Sequence, residues 1–406
     1  MDRPVVVVGG GIAGASLAYA LAKAGVDVLV LEASLAFEDR VRGESMQPWG
    51  VAEARELGVE DVLLAAGAHI SPVWKQYVEG DAEPRDIPMS VMVPGIDGSL
   101  NLRHPDACQA ILDAAAAAGA KVQRGVRDVK LSPGPPVTVA YRVDDNDHEV
   151  GGDLVIGADG RASTVRKQAD ISLQRDKAIS YIAGLLLDGL DDVPDDHDTL
   201  VSEGGLYLIL FHQGGGRARS YIVTGLSGKH RFAGAGSTNR FLAATRMPTY
   251  PWSPALSAAT PAGPCATYPG DDTWTAVPYA DGIALIGDAA GYNDPIIGQG
   301  LSIALRDART VRDLVLAAAR GPIDFRPYGK ERFERMRRLR LIADVLAVTE
   351  VEDGADNRSA RRAFAGQKAA ELAPDYFPLI AGAFAGPETI PAELVDDAIL
   401  DRIRSA

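Results

Sequence analysis

Two kinds of apolar spacing alternate along the first third of the chain. An unbroken run, Val5-Val6-Val7-Val8, is followed by a helical spacing over about 13–24, and a second run, Val28-Leu29-Val30-Leu31, ends at Glu32. Runs this short and wholly apolar predict parallel strands buried on both faces, and the helix between them predicts a βαβ unit. Helical spacing recurs through Val51, Ala54 and Leu57 to Gly58. It recurs again over 105–118, where Ala107, Ile111, Leu112 and Ala115 share a face and Gly119 supplies the stop. Between these stretches, residues 71–99 read as short strand pieces broken by Gly and Pro, with 73–77 and 89–93 the best candidates. Further strands are predicted near 120–122, 137–143 and 154–156, then at 183–187, 206–211 and 221–223 in a strand-rich stretch spanning 172–274. Residues 283–286 read as a buried parallel strand returning to the first sheet. A helix over 301–316 and a mixed apolar and arginine-rich helix over 331–348 follow.

The expected class is therefore α/β, a Rossmann-like dinucleotide domain interleaved with a β-sheet domain and followed by helices. The dinucleotide domain is expected from 1–70, 102–172 and 276–345, the β-sheet substrate domain from 71–101 and 173–275, and a C-terminal helical segment from 346–406. No internal repeat is present.

The turn after the first strand carries Gly9-Gly10-Gly11-Ile12-Ala13-Gly14. Gly9 permits the tight bend, Gly11 allows backbone to approach a pyrophosphate, and Gly14 lets the helix sit against the strand. The helix N-terminus favours phosphate, and Glu32 falls where an acid accepts from an adenosine ribose. A 2′-phosphate there would meet like charge, which points to FAD or NAD rather than NADP. Two later glycine-bearing segments, Gly157-Ala158-Asp159-Gly160 and Gly287-Asp288-Ala289-Ala290 with Pro295 and Gly298-Gln299-Gly300, complete an ordered set.

Composition narrows the function class. A net charge of −14 disfavours nucleic acid and anionic membranes, and no apolar run reaches spanning length, so the expectation is a cytoplasmic enzyme. Cys108 and Cys265 have no zinc or disulfide spacing, and the six histidines, His104, His212 and His230 among them, form no motif, so no metal is expected.

On these motifs the chain resembles the flavoprotein monooxygenases of the para-hydroxybenzoate hydroxylase fold, a superfamily that also holds flavin halogenases and geranylgeranyl reductases. The resemblance implies FAD, with Gly9, Gly11, Ile12, Ala13, Gly14 and Glu32 on its ADP half and Arg42 and Arg103 as further dinucleotide contacts. It places Asp159 and Gly160 near the pyrophosphate, Asp288 on ribityl or ribose hydroxyls, and Pro295, Gly298, Gln299, Gly300 and Leu301 along the isoalloxazine. The implied reaction is hydroxylation or epoxidation of a small organic substrate with O₂ through a flavin C4a-hydroperoxide. Electrons would come from NADPH or NADH, which would dock transiently because only one GxGxxG is present, or from a partner flavin reductase.

The resemblance has departures. Gly291 and Ser302 stand where hydroxylases often carry His and Asn, so a reductase or halogenase branch is the alternative. The halogenase Trp-x-Trp-x-Ile-Pro segment is absent, since Trp49, Trp74, Trp252 and Trp274 are isolated, although Lys75 lies near the position of a halogenase lysine. A cofactor-free lipid-binding chaperone of the same fold is a remote alternative. No catalytic residue is singled out. For substrate contacts the second sheet offers Trp74, Tyr77, Tyr207, Phe211, His212 and Tyr221.

Overall fold

The computed structural model describes residues 3–41, 43–318, 321–354, 356–372, 381–396 and 398–406. Its first sheet has six strands in the order Tyr279–Ala280, Ile283–Leu285, Leu154–Gly157, Val5–Val8, Val28–Glu32 and Lys121–Arg124. All neighbours are parallel except the Tyr279–Ala280 edge. The central strand, Val5–Val8, is buried on both faces, as its unbroken valine run predicts. Full burial of each such side chain is worth roughly 1.5–3 kcal/mol. Helix Ile12–Lys23 packs against helices His104–Ala117 and Gly300–Ala317, and its many alanines permit that close approach.

The second sheet has eight strands. Along its main path run Thr260–Pro261, Ser180–Asp188, Ala218–Thr224, Leu206–His212, Asp198–Glu203, Val73–Val78 and Arg85–Pro88, and Ala266–Gly270 also pairs with Ser180–Asp188. Asp198–Glu203 and Val73–Val78 pair in parallel; the other neighbours are antiparallel. One face carries Leu185, Leu208, Leu210 and Ile222 into a core of its own, and the other turns Tyr207, Ile209, Phe211 and Tyr221 toward the first sheet and the C-terminal helices. The expected strand at 89–93 is instead a single 3-10 turn, Met89–Val91, with Met89 and Met92 buried. Pro88 and Pro94 bracket these residues, and the Met89 amide donates to the Pro72 carbonyl (2.8 Å) rather than to a ladder.

The helix expected over 331–348 runs from Arg326 to Glu350. Two of its arginines lie inside: Arg332 and Arg335 are buried and pair with the buried Asp307 at 2.9 and 2.7 Å, while Phe333 is 37% exposed. Asp307 also accepts the Gly287 amide, and Arg332 donates to the Gly287, Ala290 and Gly291 carbonyls. One ion triad thus joins two helices to the loop that carries Asp288. Further on, Arg358 opens helix Arg358–Leu372 two residues after Asp356, and Pro374 lies outside the described residues. Among the described residues no helix is long and apolar enough to cross a membrane.

Candidate functional site

A cavity of about 700 Å³ begins at the turn after the first strand and ends on the second sheet. Gly9, at φ +105°, allows the bend, and a Cβ there would overlap the Ala158 carbonyl. A Cβ on Gly14 would overlap the Gly9 carbonyl oxygen, so both glycines are needed by the protein's own packing. Gly11 differs: a Cβ there would meet no atom within 4 Å, because the residue faces the cavity. Gly160 and Gly300 also face open space in the wall. Glu32 accepts from the Gly10 amide (2.6 Å) and the Ser34 amide (2.7 Å), which fixes its carboxylate at the end of the second strand.

Asp159 spends its carboxylate on its own turn, accepting from Ser163 Oγ, the Thr164 amide (2.6 Å) and the Val165 amide (3.2 Å). Asp288 lies in a 3-10 turn, Gly287–Ala290, and does not cap the following helix; its partner is Arg161 at 3.2 Å, which in turn stacks over the Tyr292 ring. Arg161 follows Asp159-Gly160 by one residue, and that adjacency was the signal available for it. Gln299 lines the wall but uses its amide structurally. It accepts from Trp49 Nε1 (2.9 Å) and donates to the carbonyls of Ile297 (2.6 Å) and Ala383 (3.0 Å).

Of the residues expected on the dinucleotide, Gly9, Gly11, Ile12, Ala13, Glu32, Asp159, Gly160, Asp288, Pro295, Gly298, Gln299, Gly300 and Leu301 share this cavity. Gly14 sits behind it. Arg103 is half-exposed, outside the lining, and pairs with Asp106 at 3.2 Å. Arg42 lies outside the described residues, whereas Arg40, two positions earlier, is in the wall.

Strand register decides the fate of the six residues expected on the substrate. Ile209 faces Tyr221 and Phe211 faces Arg219 across neighbouring strands, so these side chains share the cavity side. Phe211 and Tyr221 line the cavity. Trp74 and Tyr207 point to the same side but are buried in the core outside the lining; Trp74 has its edge on Phe211 and on Phe384 and its indole N–H on Ser99. Tyr77 lies in the opposite core, packed on Tyr250, and so faces away from the cavity. His212, adjacent to Phe211 on an alternating strand, is turned from it too. Burial pushes its imidazole down to about 4, so it is neutral. Lys75 pairs with Asp86 (3.3 Å) on the next strand and is absent from the lining.

Sequence reasoning passed over a buried network at the sheet end of the cavity. Arg219 joins Asp39 (2.5 Å) and Glu44 (3.2 Å), and Tyr221 donates its hydroxyl proton to Glu44. Glu44 lines the cavity, and burial pushes its carboxyl up to about 7 against the opposing pull of Arg219 and Tyr221. Glu44 stands two residues after Arg42, but nothing in one sequence ties it to position 219.

The residues present fit FAD. Gly11, Gly160 and Gly300 leave backbone bare where a Cβ would fill the cradle, and the N-terminus of helix Gly300–Ala317 meets the far end of the same cavity. Comparison with known proteins agrees. Squalene epoxidase of Aspergillus fumigatus is 28% identical over 321 residues, 77% of this chain and 66% of that protein. The chain thus spans slightly under two thirds of that relative's length. 6-Hydroxynicotinate 3-monooxygenase of Bordetella bronchiseptica is 26% identical over 311 residues, 75% of this chain and 80% of that one. The solved structure of Pseudomonas aeruginosa PqsL in complex with 2-aminobenzoylacetate has the same fold at a TM-score of 0.71 and 22% identity, covering 94% and 99% of the two chains. Residues 2–228 match the FAD binding domain family, over half the chain, and the protein belongs to that family.

Proposed function

We propose that the protein is an FAD-dependent monooxygenase that hydroxylates or epoxidises a small organic substrate, using O₂ and electrons from NADPH or NADH. The observation that carries this reading is the continuity of the cavity: it runs from the Gly9–Gly14 turn, past the loop with Pro295 and Gly298, to an apolar wall of Val41, Ile182, Ile209 and Phe211. Both relatives above act as oxygenases by name, which supports the same chemistry here.

Bound FAD would supply the two-electron chemistry and the reaction with O₂. The chain's own residues do the rest. Gly11 and the amides opening helix Ile12–Lys23 receive the pyrophosphate, and Glu32, held by the Gly10 and Ser34 amides, accepts from the adenosine ribose. Asp288 accepts from a ribityl or ribose hydroxyl while Arg161 keeps its carboxylate in place. The dipole of helix Gly300–Ala317 favours negative charge at the ring end of the site. The apolar wall of Val41, Ile182, Ile209 and Phe211 would exclude water from that part of the cavity. In this reading the first sheet and its loops form the dinucleotide domain and the second sheet forms the substrate domain.

Anaerobic mixing of the FAD-loaded protein with NADPH and, separately, NADH tests the proposal. The expected result is bleaching of the flavin band by one of them and reoxidation when air is admitted. If neither bleaches the flavin, with or without candidate substrates, a partner reductase must deliver the electrons.

A further inference from the structure

The polar groups at the sheet end of the chamber are not symmetric in what they can accept. Tyr221 lines the cavity and gives its one hydroxyl proton to Glu44, which leaves its oxygen only lone pairs to offer a further partner. Burial holds the phenol protonated by pushing its pKa well above the ordinary value. The Glu44 carboxyl is set in turn by Arg219, which is 2% exposed and bears on Asp39 as well. Two carboxylates thus share one guanidinium, and Glu44 Oε1 receives no hydrogen bond. On the cavity side Tyr221 shares its core with the apolar Val41, Ile182, Ile209 and Phe211, which offer no side-chain donor, and Arg219, whose Nε and Nη1 make no hydrogen bond, lies outside the lining.

We propose that this chamber selects a substrate carrying a hydrogen-bond donor, a hydroxyl or an N–H, which Tyr221 accepts and whose preference Glu44 enforces by fixing the direction of the Tyr221 hydroxyl. The inference rests on the chain being a flavin-dependent monooxygenase and names the substrate class of that site. Tyr221 is the contact residue and Glu44 the positioning residue. A hydrocarbon of the same shape leaves the phenol oxygen and the excess negative charge uncompensated, and buried polar groups left unpaired are what give a site strong discrimination.

The test uses two probes of matched shape, 2-naphthol and 2-methylnaphthalene, titrated into the FAD-loaded protein at pH 8 and followed by perturbation of the flavin absorption. Tighter binding of 2-naphthol by at least about tenfold is expected. In Tyr221→Phe the two affinities should converge to within about threefold, and Glu44→Gln should move the ratio in the same direction while FAD content and circular dichroism stay unchanged. Equal affinities in the unsubstituted protein, no binding of either probe, or a ratio that survives in Tyr221→Phe would overturn the assignment. A protein that takes up no FAD fails at an earlier step, and overturns the flavoprotein reading itself.

Discussion

The turn at Gly9–Gly14 and the network of Glu44, Arg219 and Tyr221 serve one cavity, and they are built in opposite ways. At the turn, binding groups are backbone amides, and the residues that expose them are consecutive. In the network, the polar groups are side chains from positions 39, 44, 219 and 221, of which Glu44 and Tyr221 line the cavity, and they are brought together only by the tertiary fold. Local rules govern the first, and only the tertiary fold governs the second.

The largest effects should separate the two glycine roles within the turn. Gly14→Val forces a side chain into the Gly9 carbonyl, and loss of more than about 4 kcal/mol, seen as failure to accumulate folded protein, is expected. Gly11→Val meets only the cavity, so urea unfolding of the apoprotein should change by less than about 1 kcal/mol while FAD uptake is lost. Equal stability losses in both variants would erase the distinction between packing glycine and cradle glycine.

Arg219→Met should cost about 3–5 kcal/mol in urea unfolding, because it leaves two carboxylates facing each other without their cation. A cost under about 1 kcal/mol would mean that the network is not held by charge.

The protonation of Glu44 gives a third, pH-resolved difference. Its carboxyl titrates near 7 in the folded chain against 4.5 as the ordinary value. Between those values the folded state keeps a proton that the unfolded state releases, so this group's contribution to stability falls as pH rises from about 4.5 to about 7 and then levels. Glu44→Gln lacks that component and should gain on the unsubstituted protein by roughly 2–3 kcal/mol from pH 5 to pH 8. A stability difference independent of pH would refute it.

The smallest expected effect lies back at the nucleotide end. Asp288→Ala removes one accepting carboxylate and should weaken FAD retention by roughly tenfold to a hundredfold, read by ultrafiltration of released flavin, with the chain still folded. Retention at the original level would place the ribityl or ribose contact elsewhere.

What the sequence made legible follows the same division. The parallel order of the valine strands, the helix after Gly11 and the return at Ile283–Leu285 all followed from apolar runs and their spacing, which are local signals. The second sheet was recognised as strands, yet which side chains meet the cavity depended on a period-two alternation whose phase relative to the first sheet no single strand encodes. Phe211 and His212 are neighbours in sequence with opposite surroundings for that reason. The arginines at 332 and 335 were legible only as part of a mixed apolar and arginine-rich helix; their interior position depends on the buried Asp307 opposite them, which lies on another helix.

The Trp49, Gln299 and Ala383 cluster carries a consequence for biosynthesis. Trp49 and Ala383 are separated by 334 positions, and the Gln299 amide, which holds the Ile297 carbonyl of its own loop, reaches the Ala383 carbonyl as well. A chain emerging from the ribosome can therefore close its valine strands long before it can finish that loop. The hydrogen bonds of that loop are completed only when the last part of the chain is present.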